Sequence, residues 1–469
     1  MALANVEDDV ETPLLQGAHS HANGNRLSNA DENSPCIPNA DCRSPGSGNC
    51  TFSGAVSNLA VTAIGAGMLA LPKAFSTVGI ALGLTLTITV CFLTYFSSSI
   101  IIRYAARDHK DSYGSLIKTE FGRGGAAALQ CAIIIHVLGV MIVYLIIIQD
   151  MLIGSAPHYK GLIPYFFGVQ WFVSRWFIAL FLLIVVVCPM LISRDLSIVS
   201  HFSKFSVRML LFLAATLVGL AGVAVGTGKA AKIEIFPDLE TVGGMGGPLG
   251  LISATLTVLA VLALAFTCQF NLVPIHNSMR DNRTKTMQSA TQASIALSAL
   301  LYASIAIAGY TLFGDKTNGD VLKNLTIEYV TECIGKRPAE ILIIFVVGAN
   351  TLNLLINFVL KVWAVRDAWC ELALGKPSRL LRASAFYLLT GVLVGIAFSV
   401  SVVLPSVWFL VSLVGSTACV TFSYVFPGCL LFRRARTTGG KVLGAGAVAL
   451  AALMAVVAVL NTLSGNAAD

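Results

Sequence analysis

The stretch SNLAVTAIGAGMLAL, residues 57–71, followed at once by Pro72, decides the fold of this chain. It lies inside a long apolar segment, yet Gly65, Ala66 and Gly67 remove the side-chain bulk that keeps a membrane helix continuous. A helix that breaks inside a membrane leaves backbone N–H and C=O groups that protein, water or a ligand must satisfy. The stretch therefore predicts a binding site at a broken helix. The alternative is that the small residues only let two helices pack closely.

The composition excludes a soluble globular protein. Of the 469 residues, 56% are hydrophobic and 12% are charged, which is about half the charged share of an average soluble domain. The chain is therefore a polytopic membrane protein that contacts the lipid bilayer. Its net charge of +7 is concentrated in alternate loops, which indicates membrane topology and no nucleic-acid partner. We see no phosphate-binding glycine loop, metal-ligand cluster or activated nucleophile, so we expect no enzyme, no cofactor and no metal.

Residues 1–51 differ in composition from the rest of the chain. They are rich in Asn, Ser, Asp, Gly and Pro and have no periodic apolar pattern. Such a segment cannot bury enough apolar surface to offset chain entropy, so we predict a disordered tail. Within it, EDDVETPLL at residues 7–15 is similar to an acidic dileucine sorting signal for the endosomal, lysosomal or vacuolar route. Its spacing is one residue off the usual pattern, and an incidental Leu-Leu pair is the alternative.

Eleven apolar segments follow the tail, each close to the roughly 20 residues that cross a bilayer core of about 30 Å. We number them span 1 to span 11. They lie at 54–79, 82–105, 127–153, 173–193, 204–226, 250–278, 289–313, 339–363, 384–404, 406–432 and 441–462. Together they form one membrane domain at 52–462, with two halves at about 54–226 and 250–432 and span 11 as an extra helix. Residues 463–469 form a short tail.

The charge distribution predicts the orientation. Lysine and arginine lie mainly in the loops after spans 2, 4, 6, 8 and 10. By the positive-inside rule these loops and the N-terminus are cytosolic, and an odd number of spans puts the C-terminus outside or in a lumen. The sequon Asn324-Leu325-Thr326 then lies on the outer side, so Asn324 is a predicted glycosylation site.

A second interruption lies in span 6, at FTCQFNLVPIH, residues 266–276. Gln269 and Asn271 are costly in hydrocarbon, and Pro274 removes a helical N–H and clashes with the preceding turn. Spans 1 and 6 are the first helices of the two halves, and paired broken helices there are typical of inverted-repeat transporters. One half-helix offers N–H groups to a carboxylate and its partner offers C=O groups to an amine. We therefore predict a small-molecule amino-acid ligand.

Several motifs resemble the amino acid/auxin permease family, over roughly residues 52–432. They are Asn58 with GAGMLALP at 65–72, YLIIIQD at 144–150, CPMLISRDL at 188–196, Cys268 with NLVPI at 271–275, and GYTLFGDKTNGDVLKN at 309–324. The resemblance implies an all-α membrane fold of eleven helices, an inverted 5+5 repeat like that of the bacterial leucine transporter, with helices 1 and 6 broken. It also implies secondary active transport by alternating access. The family includes animal neutral amino-acid transporters and plant and fungal vacuolar ones, so we expect a plasma membrane or a vacuolar or lysosomal membrane.

The candidate substrate site follows from the two interruptions and from this resemblance. Its residues are Thr62, Gly65, Ala66, Gly67, Tyr144, Cys268, Gln269 and Asn271. Tyr144 matches a family position and could close the pocket over the ligand, with ordinary aromatic packing as the alternative. Two positions depart from the family pattern, because Gln269 stands where many members have His and Val61 stands where sodium-coupled animal members carry a second Asn.

Polar side chains inside the spans are candidates for binding the coupling ion. His136 in span 3 could carry a proton, and a neutral histidine hydrogen-bonded to nearby backbone is the alternative. Asn353 and Asn357 share one face of span 8 with Asn350, and they either hold helices together or lend oxygens to an ion. Val61 offers no side-chain oxygen to sodium, so we favour proton coupling over sodium coupling.

Charged residues inside the spans bear on the substrate. No Asp or Glu lies near the middle of any span, and no Lys or Arg there awaits an acidic side chain, so we predict neutral amino acids. Asp150, near the outer end of span 3, is interpreted as a solvated boundary residue. The alternative function is an amino-acid sensor that signals through its cytosolic tail. A channel is disfavoured because no ring of acids or repeated pore loop occurs, and we expect no obligatory protein partner.

Overall fold

The structure of the protein is a computed structural model. It describes residues 50–155, 159–168, 174–192, 197–238, 242, 246–375, 378, 381–404 and 406–463. Nearly all of the predicted tail, including its dileucine-like stretch, lies outside the described residues. Arg194 and Asp195 of the CPMLISRDL motif lie outside them as well.

The described residues form eleven membrane spans when a bent helix pair counts as one, which confirms the predicted number. That pair is span 1, whose two helices meet at an angle of 55°. Spans 1 to 5 are Phe52–Ala63 with Leu71–Val78, Ile80–Arg107, Tyr113–Ile153, Arg175–Ile192 and Ser197–Gly226. Spans 6 to 11 are Gly247–Ala265 with Leu272–Ser278, Thr284–Phe313, Lys336–Leu374, Ala383–Val403, Val407–Arg434 and Thr438–Leu463.

Short elements occupy two of the loops that follow odd-numbered spans. Between spans 3 and 4, the two-residue strands β1 (Gly154–Ser155) and β2 (Tyr159–Lys160) pair antiparallel and precede the helix Leu162–Phe167. Between spans 7 and 8 lie the helices Val321–Asn324 and Ile327–Ile334. These pieces do not change the all-α class. The helix Val321–Asn324 contacts both span 3 and the turn inside span 1, so this loop covers the break in span 1.

Span 3 is much longer than predicted. Its helix begins at Tyr113 and not near residue 127, because Ser112 caps it. The Ser112 hydroxyl accepts a hydrogen bond from the Ser115 N–H, and the Ser115 hydroxyl accepts one from the Ser112 N–H. Within the helix Gly122 has a φ of 70°, a left-handed conformation that glycine adopts easily and that kinks the chain. Apolar composition therefore locates the part of this helix inside the membrane, whereas a polar cap sets where the helix starts.

Spans 3 and 6 lie at the centre of the bundle, and spans 4, 9 and 11 lie at its periphery. The most apolar window of span 3 is 78% buried and that of span 6 is 72% buried. The corresponding windows of spans 4, 9 and 11 are 28%, 28% and 22% buried. Exposed aliphatic side chains such as Ile184, Leu388 and Val456 cover these peripheral spans, as contact with lipid requires. A polar site shielded from lipid must therefore lie on the central spans.

Backbone hydrogen bonds join the entrance of span 1 to the exit of span 6. The Cys50 N–H donates to the Ser278 carbonyl oxygen at 3.0 Å, and the Arg280 N–H donates to the Cys50 carbonyl oxygen at 2.9 Å. The two interrupted spans are thus fastened together at one end as well as at their interruptions.

Asp150 is a buried, ion-paired carboxylate, so its interpretation as a solvated boundary residue is wrong. Its side chain has no exposed surface and lies 2.6 Å from the Arg175 guanidinium and 3.0 Å from the Lys323 ammonium. Arg175 begins span 4, and Lys323 belongs to the short helix between spans 7 and 8. The ion pairs therefore fasten the loop that covers the span 1 break to the end of span 3.

Asp320 is a second buried carboxylate in this loop. It caps the helix Val321–Asn324, where its Oδ1 accepts a hydrogen bond from the Leu322 N–H at 3.0 Å. Burial, reinforced by the nearby Asp150 carboxylate, raises the pKa of Asp320 from 3.8 to about 7. The folded protein thus keeps a proton on Asp320 over a pH range in which the unfolded chain loses it.

This raised pKa predicts a pH-dependent stability. Between the ordinary pKa of 3.8 and about 7 the unfolded state binds fewer protons at Asp320, so the contribution to stability is largest at low pH and is lost as pH rises to about 7. The thermal midpoint of the detergent-solubilised protein should therefore fall more between pH 5 and pH 8 in the wild type than in Asp320→Asn. The exposed Asp315→Asn is the control and should behave as the wild type does. Equal shifts in all three proteins would contradict the assignment.

The packing of span 11 on span 10 predicts a second stability effect. A Cβ built on Gly444 would lie 2.6 Å from the Gly428 carbonyl oxygen, whereas one built on Gly446 would meet no atom within 4 Å. Gly444→Leu should therefore cost about 1–3 kcal/mol or more through overpacking. Its thermal midpoint in detergent should drop by several degrees, while that of Gly446→Leu should stay close to the wild type. A Gly444→Leu protein as stable as Gly446→Leu would refute this contact.

Candidate functional site

The break in span 1 is a short extended step followed by a tight turn. The first helix ends at Ala63, Ile64 is extended, and Gly65 is extended with φ −129° and ψ −154°. A 3-10 turn then covers Ala66–Ala70, and Pro72 lies in the first turn of the next helix, where its missing N–H costs no hydrogen bond. The predicted interruption is confirmed. The backbone of its first glycine is one that any residue can adopt, so Gly65 is not required for its conformation.

Gly65 and Gly67 are required for space. A Cβ built on Gly65 would lie 2.7 Å from the Tyr144 hydroxyl oxygen, and a Cβ built on Gly67 would lie 3.0 Å from the Cα of Ala265. Tyr144, which is 1% exposed, therefore lies directly over the break in span 1. Ala265, the last residue of the first half of span 6, contacts the turn that Ala66 begins. The two interrupted spans thus approach each other closely at their breaks.

The break in span 6 resembles the break in span 1, because a 3-10 turn again separates two helices. Its first helix ends at Ala265, a 3-10 turn covers Gln269–Asn271, and the second helix runs over Leu272–Ser278. The Tyr302 hydroxyl of span 7 donates to the Ala265 carbonyl oxygen at 2.8 Å and satisfies one group freed by the break. Pro274 lies in the first turn of the second helix, where a proline is tolerated.

Asn271 and Thr62 connect the two breaks. The Asn271 Nδ2 donates to the Thr62 Oγ1 at 3.0 Å, and the Thr62 hydroxyl donates to the Asn58 carbonyl oxygen at 2.8 Å. These bonds run from the turn of span 6 to the first half of span 1. The structure therefore brings two predicted substrate-site residues into direct contact.

Gln269 is bound by protein groups on three sides. Its Oε1 accepts hydrogen bonds from the Cys268 N–H at 3.0 Å and the Ser423 hydroxyl at 3.2 Å, and its Nε2 donates to the Ser97 Oγ at 3.3 Å. This amide therefore joins spans 2, 6 and 10 next to the break. Cys268 is buried beside it with an exposed fraction of 2%. Contact of either side chain with substrate stays a prediction.

His136 packs against the same turn. Its side chain is 2% exposed, and its Nδ1 has no hydrogen-bond partner among the described residues. Its ring centroid lies 5.1 Å from that of Phe422 and 6.1 Å from that of Phe270. Phe270 is the middle residue of the span 6 turn, so His136 lies next to the break. Its Nδ1 lacks the backbone hydrogen bond of the alternative interpretation.

Lys361 is a residue of this site that the sequence analysis missed. Its side chain is 8% exposed, and its Nζ lies 5.3 Å from the centroid of the Phe270 ring. The sequence analysis named no cation at the breaks, and this side-chain nitrogen reaches the break in span 6. Its position could have been found from the residue spacing, because Lys361 follows Asn357 by four residues and lies on the same face of span 8.

The span 8 amides bind one another and span 5. The Asn357 Nδ2 donates to the Asn353 carbonyl oxygen at 2.9 Å and to the Asn353 Oδ1 at 3.0 Å, and it lies 3.5 Å from the Ser206 Oγ. Asn350 donates to the Val346 carbonyl oxygen of its own helix at 2.9 Å. This arrangement matches the helix-joining alternative. A role for Asn353 and Asn357 at a coupling ion stays a prediction.

Asn324 lies away from the site, in the loop between spans 7 and 8. Its Nδ2 donates to the Lys316 carbonyl oxygen at 2.8 Å, and its Oδ1 accepts from the Asn318 N–H at 2.8 Å. The side chain therefore shapes its own loop, and its glycosylation stays a prediction.

The chemistry of the site is that of hydroxyls, amides, an imidazole and an ammonium. Among the described residues no group of three or more His, Cys, Asp or Glu side chains could hold a metal ion. Uncharged donors and acceptors at two broken helices, with a cation beside them, suit a small polar ligand that carries a carboxylate.

Comparisons with known proteins agree with this architecture. Residues 48–466 match the model of the family described as transmembrane amino acid transporter protein. The chain is 26% identical to amino acid transporter AVT6D of Arabidopsis thaliana, over 92% of this chain and 96% of that protein. It is 25% identical to vacuolar amino acid transporter 5 of Schizosaccharomyces pombe, over 82% and 85%. It is 24% identical to sodium-coupled neutral amino acid transporter 7 of Bos taurus, over 82% and 80%.

A solved structure shares the fold. A manganese transporter of Eremococcus coleocola superimposes with a TM-score of 0.59 over 88% of this chain and 86% of that one, at 13% sequence identity. This likeness concerns the fold alone. The family match covers nearly the whole chain, and the chain therefore belongs to the transmembrane amino acid transporter family.

Proposed function

We propose that the protein is a secondary active transporter of neutral amino acids that works by alternating access and is driven by a proton gradient rather than a sodium gradient. The observation that carries the proposal is the direct contact of the two broken helices through Asn271 and Thr62, beneath Tyr144. Paired broken helices place oppositely polarised backbone groups at one point inside a membrane. A zwitterionic amino acid presents the two complementary charges.

The substrate would lie between the breaks. The N–H groups of the turn that begins with Gly65, Ala66 and Gly67 would receive the carboxylate, and C=O groups at the end of a half-helix would receive the amine. Thr62, Asn271, Cys268 and Gln269 line or adjoin this space, and Tyr144 would cover it. Asp150 and Asp320 lie at the loop that covers the span 1 break, but Asp150 is already paired with Arg175 and Lys323 and Asp320 caps a helix, which supports neutral rather than cationic side chains.

The side chains near the two breaks support proton coupling over sodium coupling. Val61 supplies no side-chain oxygen, and Asn353 and Asn357 are bound to each other and to span 5. A sodium ion would have to displace these bonds. His136 and Lys361, in contrast, are buried titratable side chains that lie against Phe270 of the span 6 turn.

The vacuolar or lysosomal membrane is the proposed location, with the plasma membrane as the alternative and the N-terminus cytosolic. The support is that the relative from Schizosaccharomyces pombe is named a vacuolar amino acid transporter. We also propose that 54–226 and 250–432 are the inverted repeats of the transporter domain. The sensor alternative has no support from the described residues, and the three relatives named above are all transporters by name.

Flux in proteoliposomes tests this function. Uptake of labelled alanine, glutamine or leucine should continue when a large organic cation replaces sodium, and it should be faster when the side of uptake is at pH about 5.5 than at about 7.5, because protonation is then favoured. A protonophore should abolish accumulation. Strict dependence on sodium at both pH values would refute proton coupling, and saturable uptake of arginine or glutamate without competition from neutral amino acids would refute the substrate class.

Substitutions at the breaks test the site. Gly65→Val should abolish transport while leaving folded, monodisperse protein, because the new side chain meets the hydroxyl end of Tyr144. Gly67→Val meets the backbone of Ala265, so it should abolish transport and lower the thermal midpoint as well. Gly219→Val is the control, since a Cβ there meets no atom within 4 Å and the residue is exposed on span 5. Near-normal flux in Gly65→Val would show that the break serves packing alone.

A double variant identifies the cause of the Gly65 effect. In Gly65→Ala the new methyl group would lie 2.7 Å from the Tyr144 hydroxyl oxygen, but the next nearest ring atom is 3.7 Å away. Tyr144→Phe removes the offending oxygen, so the double variant should transport faster than Gly65→Ala. If the second substitution lowers the rate further, contact between the methyl group and Tyr144 is not what limits Gly65→Ala.

A further inference from the structure

Lys361 places a positive charge at the point where span 6 is interrupted. Its Nζ lies 5.3 Å from the centroid of the Phe270 ring, and Phe270 is the central residue of the turn between the two halves of span 6. The side chain is 8% exposed, so the bundle shields it from both water and lipid. A long, charged side chain normally extends towards the membrane surface, and this one is directed to the interior instead.

The groups that face Lys361 do not neutralise it. Among the described residues, the titratable side chains that interact electrostatically with Lys361 are His136 of span 3 and Cys419 of span 10. Span 6 contributes the face of Phe270, which attracts a cation but carries no net charge. Among the described residues no carboxylate pairs with Lys361, whereas the described carboxylate of Asp150 pairs with two cations.

An ammonium in such surroundings is stabilised by an anion and destabilised without one. Taking a charge out of water is costly unless it is paired and hydrogen-bonded. The neutral amine, which lacks the charge, does not incur this cost. A substrate carboxylate beside the nitrogen would therefore favour the protonated form over the neutral one.

We propose that Lys361 carries the coupling proton of this transporter by pairing, as an ammonium, with the carboxylate of the bound amino acid, which would then lie between the span 1 N–H groups and Lys361. The inference rests on the proposed function and deepens it. The proton moves from water on the acidic side to the Nζ lone pair when substrate binds, and it returns to water on the opposite side when substrate leaves. No other bond forms or breaks.

Coupling then follows from linkage. If the carboxylate favours the proton on Lys361, the proton must favour binding of the carboxylate by the same factor. The empty carrier returns with a neutral amine, so each cycle moves one zwitterion and one proton. Transport should accordingly carry one net positive charge per amino acid.

Two substitutions of Lys361 separate its charge from its ability to titrate. Lys361→Met keeps a similar length without the amine, and Lys361→Arg keeps a charge that does not dissociate in proteins. In the wild type, apparent affinity measured between pH about 5.5 and 9 should weaken as pH rises, by about tenfold per pH unit where binding takes up one proton. In both variants this pH dependence and the proton-driven accumulation should be lost, while exchange of labelled for unlabelled substrate stays detectable.

Two control variants accompany them. Lys285→Met removes an exposed lysine at the start of span 7 and should keep the wild-type pH dependence. His136→Gln should slow transport, because the ring packs beside Phe270, yet keep the pH dependence and the charge carried per substrate.

The outcomes distinguish this inference from the proposed function. A wild type that moves protons with substrate, together with Lys361→Met or Lys361→Arg that still does so, would overturn the role of Lys361 and leave the function intact. Loss of pH dependence in His136→Gln but not in Lys361→Met would transfer the role to the histidine. A wild type driven by sodium alone, or one that moves no amino acid, would overturn both proposals.

Discussion

The structure depends on one constraint, which is that a backbone polar group inside a membrane must be satisfied. Spans 1 and 6 are both interrupted helices. They contact each other inside the bundle, where lipid does not reach them. The hydrogen bond from Tyr302 to the Ala265 carbonyl satisfies one backbone group that a break releases, and the side-chain hydrogen bond from Asn271 to Thr62 joins the two spans. The rest of the fold surrounds this contact and keeps lipid away from it.

Buried polar side chains near the breaks must be stabilised as well, and three of them have different kinds of neighbours. Gln269 has protein partners for both ends of its amide, and it joins three spans. Asp150 is paired with cations from two other elements and so holds a loop over the break. Lys361 differs from both, because its nitrogen lies over the face of Phe270 and no described carboxylate pairs with it.

The family and the fold are consistent with a site at two broken helices, and the chemistry of that site depends on its side chains. The solved manganese transporter shares the fold at 13% identity, and a fold does not by itself fix a function. What distinguishes members of such a fold is the set of side chains at the breaks. In this chain those include a valine at position 61, a glutamine at position 269 and a lysine at position 361.

The sequence by itself determined the number of spans, their order and the two interruptions, because apolar length, glycine and proline act locally along a chain. It did not determine where Ser112 starts span 3, that Asp150 is buried, or that Lys361 reaches Phe270. Those facts depend on which helices meet, and a one-dimensional pattern carries no distance between span 8 and span 6. Tertiary structure alone decided which polar residues became partners, because a buried charge or amide is defined by the neighbours that other helices bring to it.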